Sequence, residues 1–281
     1  MNLKTNTLPA RVALIGLILI SIPFAYDVTL STVPQAPESL PVSLAFSALY
    51  LAFFLLLFRF TRIWTPKSWG WIAVALLWGG FAISLWVKAA GASLSTFTKQ
   101  IGMPMFSSSL AGALPEELGK FLGVFLIALV FTQIKKPWQV FLIGVFVGLG
   151  FTIIENIGYA ASGSMVHPSS DSAGALNMWL MRSGLGFGAH SIYTAAASWG
   201  LAQALFSPHW STIKKLAVTS GWFLAGFMLH FIWNSSLGDP MIHLAKTGVM
   251  IFISYALFLF LFLRARRLAK QEETITAEST R

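Results

Sequence analysis

The sequence predicts an all-α polytopic membrane bundle of about eight transmembrane helices with both termini in the cytoplasm. Three observations carry this. Of 281 residues, 56% are hydrophobic and 10% charged, whereas soluble domains hold roughly a quarter charged residues. Apolar runs of about 20 residues recur along the chain, long enough for a helix to cross a hydrocarbon core about 30 Å thick with its backbone hydrogen bonds satisfied internally. Lys and Arg, which bring the formal charge to +9, gather in every second connection between those runs, the pattern of loops facing the cytoplasm and anionic lipid rather than nucleic acid.

In chain order the apolar runs cover residues 10–26, 42–60, 69–90, 113–134, 138–160, 175–206, 216–237 and 241–263. The first has a basic start, a short apolar stretch and Pro23, features shared with a secretory signal peptide, but no small-x-small cleavage site follows, so we read it as a span. The basic clusters are Lys4 and Arg11; Arg59, Arg62 and Lys67; Lys135 and Lys136; Lys214 and Lys215; and Arg264, Arg266, Arg267 and Lys270. The opposite connections hold Asp27, Glu38, Asp171 and Asp239, with Lys88, Lys99 and Lys246 as basic exceptions. Trp64, Trp69, Trp71, Trp138 and Trp210 flank the basic side, as expected of indoles at headgroup depth. Residues 91–112 are too polar to span and read as an outer loop or shallow re-entrant segment. Residues 264–281 read as a short solvated cytoplasmic tail. The whole chain, 1–281, is one integral membrane domain, and the charge pattern suits a bacterial cytoplasmic (inner) membrane.

The chain has no Cys. Disulfides, thiolate metal sites and a cysteine nucleophile are excluded, so any catalytic or metal chemistry rests on His, Glu, Asp, Asn, Ser or Thr. Within the apolar runs the polar exceptions are Glu116, Glu117, Lys120, Glu155, Asn156, His190, Thr194, His230 and Asn234. A charge at mid-bilayer costs about 3 kcal/mol or more, so such residues face a protein interior or a wet cavity. Each has a plainer reading taken singly: carboxylates suit the first turn of a helix after Pro115, Lys120 neutralises a glutamate one turn away, and Asn or Thr joins helices. Together they share one depth on four consecutive helices. His190 falls about 14 residues, or roughly 21 Å, from the outer start of a long tilted sixth helix, and His230 a similar distance along the seventh. The pairs His190/Thr194, His230/Asn234 and Glu155/Tyr159 are spaced i,i+4 and each lies on one helix face. These residues predict a buried polar site in the outer half of the bundle, on the four helices of residues 110–237. Gly144, Gly148, Gly150, Gly184, Gly186 and Gly188 read as helix-packing positions, and Arg182 as a snorkelling side chain near the outer surface.

Four segments, PEELGK at 115–120, GLGFTIIENIGY at 148–159, HSIYT at 190–194 and HFIWN at 230–234, resemble in order the motifs of the PrsW family of intramembrane proteases. That family is related to the CAAX-protease and bacteriocin-processing superfamily. Here the basic residue is Lys120, three positions after the second glutamate, where the wider superfamily has Arg at four; this argues against a prenylated substrate. The resemblance implies hydrolysis of a peptide bond in a membrane-anchored protein, such as a single-span anti-sigma factor. It implies Glu117, or its neighbour Glu116, as general base, with His190, His230 and Asn234 orienting water or polarising the carbonyl. Glu155 and Asn156 complete the polar wall, and Lys120 steadies the glutamates, with Thr194 and Tyr159 in support. His190, His230 and Glu155 form a plausible Zn2+ set with water as fourth ligand. With no HExxH motif present, a metal-free glutamate route is read first. The rival function is a proton-coupled transporter or channel using the same Glu, His and Lys groups as a relay, but the polar residues occupy only the second half of the chain and no paired repeat is evident.

Overall fold

A computed structural model describes residues 7–65 and 68–279; Lys4 and Lys67 lie outside them. Helices account for nearly all of it, and no strand occurs among the described residues. The order is α1 (Leu8–Ala25), α2 (Ser39–Arg59), α3 (Trp69–Leu77), α4 (Ile83–Gln100), α5 (Leu114–Val130), α6 (Pro137–Met165), α7 (Asp171–Gly186), α8 (Ala189–Leu205), α9 (Thr212–Asn234) and α10 (Pro240–Ser279). Local chemistry sets several of these boundaries. Pro occupies the first turn of α1, α5 and α6, where its missing N–H costs nothing. The side chains of Ser170 and Ser211 accept from Ala173 N and Lys214 N at the starts of α7 and α9.

Among the described residues, six helical stretches are long and apolar enough to cross a membrane: Leu8–Leu30, Ser39–Arg59, Trp69–Gln100, Pro137–Met165, Thr212–Asn234 and Pro240–Ile275. The other two expected spans, 113–134 and 175–206, do not meet that measure. The first is a helix of 17 residues, α5. The second is not one tilted helix but two, α7 and α8, broken at Phe187 and Gly188. Gly188 has φ +67°, a left-handed conformation that is costly for any residue with a Cβ. Residues 91–112 are also not a loop throughout. The helix begun at Trp69 passes through a π turn at Trp78–Ala82 and runs to Gln100, and a second π turn at Ser109–Ala113 leads into α5. Residues 264–279, expected to be a solvated tail, continue α10, where Glu272 and Glu273 pair with Lys136 and Arg62.

Contacts identify the two ends of the bundle. Lys88 pairs with Asp27 at 2.6 Å, Ser172 donates to Glu38, and Ser236 N donates to Met105 O at one end. Gln139 meets Thr65 at the other, beside the two ion pairs of α10. Two of the basic exceptions thereby gain a structural role: Lys88 through Asp27, and Lys246 by donating to Trp233 O and Ser235 O at the end of α9. Trp64, Trp71 and Trp138 are buried against neighbouring helices, whereas Trp69 is exposed.

Helices α6 and α8 form the centre and are buried along most of their length. Their approach depends on small residues. A Cβ on Gly148 would stand 2.3 Å from His190 O, and one on Gly226 of α9 would stand 2.4 Å from Tyr193 O. The missing side chains bring α6, α8 and α9 into backbone contact around the histidines.

Candidate active site

The polar residues of α5, α6, α8 and α9 converge as their sequence spacing predicts. Glu116, Glu117 and Lys120 share one face of α5, and Lys120 is fully buried. Its Nζ donates to Glu116 Oε2 at 3.1 Å, to Glu117 Oε1 at 2.9 Å and to His190 Nδ1 at 3.1 Å. The ammonium also lies 3.9 Å from the centre of the Phe151 ring. Those contacts offset the desolvation of a charge that isolated burial would penalise heavily.

Each histidine is fixed by a carboxylate, which in its ionised form only accepts. His190 Nε2 lies 3.1 Å from Glu155 Oε2, so the proton sits on Nε2 and Nδ1 carries a lone pair. His230 Nδ1 lies 2.9 Å from Glu117 Oε1, so the proton sits on Nδ1 and Nε2 carries the lone pair, which accepts from Asn234 Nδ2 at 3.1 Å. The two rings meet edge to face with centroids 4.8 Å apart, and Tyr193 stacks on His230. Both lone-pair nitrogens look toward the same oxygen: Glu116 Oε2 is 4.0 Å from His190 Nδ1 and 3.9 Å from His230 Nε2.

Arg182 departs from the sequence reading. It does not snorkel; its guanidinium donates to Glu155 Oε2 and Asn156 Oδ1 and covers the Tyr159 ring at 4.0 Å. The signal for this was available, because a basic residue inside an apolar run is as costly as an acidic one. Phe151 and Tyr193, which pack on Lys120 and His230, carried no such signal. Thr194 is buried on the His190 face of α8, but its Oγ1 has no partner and joins none of the site's hydrogen bonds.

A cavity of about 620 Å³ opens onto the cluster, with Glu116, Glu155, His190, His230 and Asn234 in its wall. Val87, Gly91 and Ser95 of α4 form one side, and Met181, Arg182 and Leu185 of α7 the other. Glu117 lines no part of it and sits behind Glu116.

A family model, that of the PrsW family of intramembrane metalloproteases, matches residues 67–263. The chain belongs to this family. Comparison with curated proteins and with solved structures found no match. As a PrsW-family chain it is an integral membrane peptidase, and a membrane protein is the substrate class that follows.

The residues fit a metal. Glu116, Glu117, His190 and His230 offer ligand atoms all within 4.8 Å of one another. Glu117 Oε2 is buried without a partner. The surrounding cluster sets three carboxylates (Glu116, Glu117, Glu155) against two cations (Lys120, Arg182), a formal charge of −1 with neutral histidines that favours a further cation. Glu155, expected as a ligand beside the histidines, is outside that group of four and is held by Arg182 and His190.

Proposed function

We propose that this PrsW-family chain is an endopeptidase that hydrolyses a peptide bond in or near the outer end of a membrane-anchored protein, in a bundle of eight passes with both termini cytoplasmic. The observation that carries it is the pair of histidine lone pairs, His190 Nδ1 and His230 Nε2, facing Glu116 Oε2 at 4.0 and 3.9 Å. Carboxylates that hold imidazole ligands from behind are the usual outer support of a metal-binding histidine, and here Glu155 and Glu117 fill that place.

His190, His230 and Glu116 would hold the ion, and two imidazoles with one carboxylate suit Zn2+. When bound, such an ion polarises the scissile carbonyl and makes water acidic enough to attack near neutral pH. Glu116 is the glutamate that a substrate in the cavity reaches, so proton transfer falls to it, and its Oε1 accepts no hydrogen bond among the described residues. Glu117, the sequence's first choice of base, instead orients His230 and holds Lys120. Asn234 lines the cavity and supplies an N–H to the carbonyl oxygen as it gains charge. Arg182 clamps Glu155 and thereby keeps His190 in its tautomer.

A metal-free glutamate route is the second reading. It rests on Lys120 Nζ and Asn234 Nδ2, which donate to both imidazole lone pairs; an ion would take over those positions. The substrate class borrowed from the resemblance is a single-span anti-sigma factor in a bacterial inner membrane.

The test uses purified protein in liposomes with candidate single-span substrates, comparing wild type with Glu116→Gln, His190→Ala and His230→Ala. Cleavage at the wild-type rate in all three variants would end the assignment. Chelation followed by Zn2+ separates the chemistries: activity that is lost and regained supports the ion, and activity that survives stripping supports the glutamate route.

A further inference from the structure

The glutamates face two cavities. Besides the larger one, a second space of about 320 Å³ also reaches Glu116 and Glu155, and Val87 and Tyr159 belong to both walls as well. Its remaining lining is mixed, with Val28, Phe151 and Gly158 as the apolar part. Thr29, Ser31, Thr32, Ser84 and Ser162 bring five hydroxyls, contributed by the turn after α1, by α4 and by the end of α6.

Exposure falls along this path. Ser162 is exposed, Thr29 is half-buried, Ser84 is 4% exposed and Glu116 is 7% exposed. Thr32 Oγ1 is buried there without a hydrogen-bond partner. A space of this size whose wall holds two carboxylates and five hydroxyls, one of them unpaired, is one that water fills, since each water finds several partners and the polar groups would otherwise go unsatisfied. The chain passes close here: a Cβ on Gly158 of α6 would stand 2.4 Å from Thr29 O. Residues 28–32 precede the segment matched by the family model, which begins at residue 67.

We propose that the smaller cavity is a water antechamber. It admits water from the end of the bundle that holds the α1–α2 and α6–α7 connections and delivers it to Glu116 and Glu155, while the peptide occupies the larger cavity. The role in hydrolysis rests on the protease reading; the hydration of the cavity does not. A hydrolase inside a bilayer consumes one water per bond cut, and a substrate filling the larger cavity closes that side to solvent. A second entrance removes the conflict, and it gives the turn after α1 a function in a helix that carries none of the site residues.

The chain contains no Cys, so single cysteines can be introduced without background. Ser84→Cys is placed deep in the smaller cavity, and Ser21→Cys, fully buried on α1 and on neither cavity wall, is the control. Both are treated in liposomes with a small charged methanethiosulfonate. Ser84→Cys is expected to react at least ~10-fold faster, because a thiolate forms where water reaches it. Equal rates at the two positions overturn the proposal, and this measurement needs no active protease. If Ser84→Cys fails to fold, Thr32→Cys, which replaces the hydroxyl buried in the same space, serves as the probe against the same control. In an active preparation, Ser84→Leu should lower kcat several-fold with KM unchanged while Ser84→Ala keeps both. Unchanged kcat in Ser84→Leu would exclude delivery by this route even if the cavity is wet.

Discussion

His230 donates from Nδ1 to Glu117 Oε1 across 2.9 Å, and this one bond divides the labour of two adjacent glutamates. It turns the lone pair of His230 toward Asn234 and Glu116, and it leaves Glu117 enclosed while Glu116 lines both cavities.

The glutamates should therefore fail differently. Glu116→Gln is expected to lower kcat by about 10²-fold or more even at saturating metal, because it removes the proton-transfer group as well as one ligand. Glu117→Gln is expected to weaken metal retention by about 10- to 100-fold, as loss of an outer carboxylate does. Single-turnover cleavage with metal titration on each variant checks this; identical defects in both variants would refute the division.

Lys120 is the hub of the cluster. Lys120→Met removes the fully buried ammonium from Glu116, Glu117 and His190, and breaking a buried pair from one side costs about 3–5 kcal/mol. Thermal unfolding in detergent should show a marked loss of stability, partly recovered when Glu116→Gln is added because one carboxylate then no longer needs the cation. Additive losses in the double variant would count against the coupling.

Arg182 acts through Glu155. Its side chain is one quarter exposed, so Arg182→Met should change stability modestly while freeing Glu155 and Asn156 to move. The expected outcome is a fall in kcat with substrate KM nearly unchanged, and partial rescue by Arg182→Lys, which keeps charge but not the two-pronged contact. A variant as active as wild type would return Arg182 to a surface role.

Gly188 sets the break that delivers His190. At φ +67° an L side chain costs roughly 1–2 kcal/mol, and a Cβ there would also come within 2.8 Å of the Phe54 ring. Gly188→Ala should lower both stability and cleavage, whereas Gly184→Ala, with open space around its Cβ, should leave both intact. Melting curves and initial rates for the pair decide it.

The polar site was legible in sequence because its members are expensive where they stand. Glu116, Lys120, Glu155, His190 and His230 interrupt apolar runs, and a bilayer or dry core tolerates such groups only when they meet. Arg182 obeyed the same rule but was read by its nearness to a helix end, and its partner is a residue 27 positions earlier, across an interhelical contact. The α7–α8 break was missed, because Gly184, Gly186 and Gly188 read as packing positions within one long helix and no local pattern says that Gly188 turns left-handed.

Sequence alone determined the helical class, the membrane setting and the set of costly side chains, because hydropathy and i,i+4 spacing are properties of short stretches. Tertiary structure decided the rest: which glutamate meets the cavity, which nitrogen of each histidine is free, that Glu155 stands behind His190, and that a second cavity reaches the same carboxylates. Those depend on backbones meeting at Gly148 and Gly226, contacts between distant segments whose geometry no local pattern encodes.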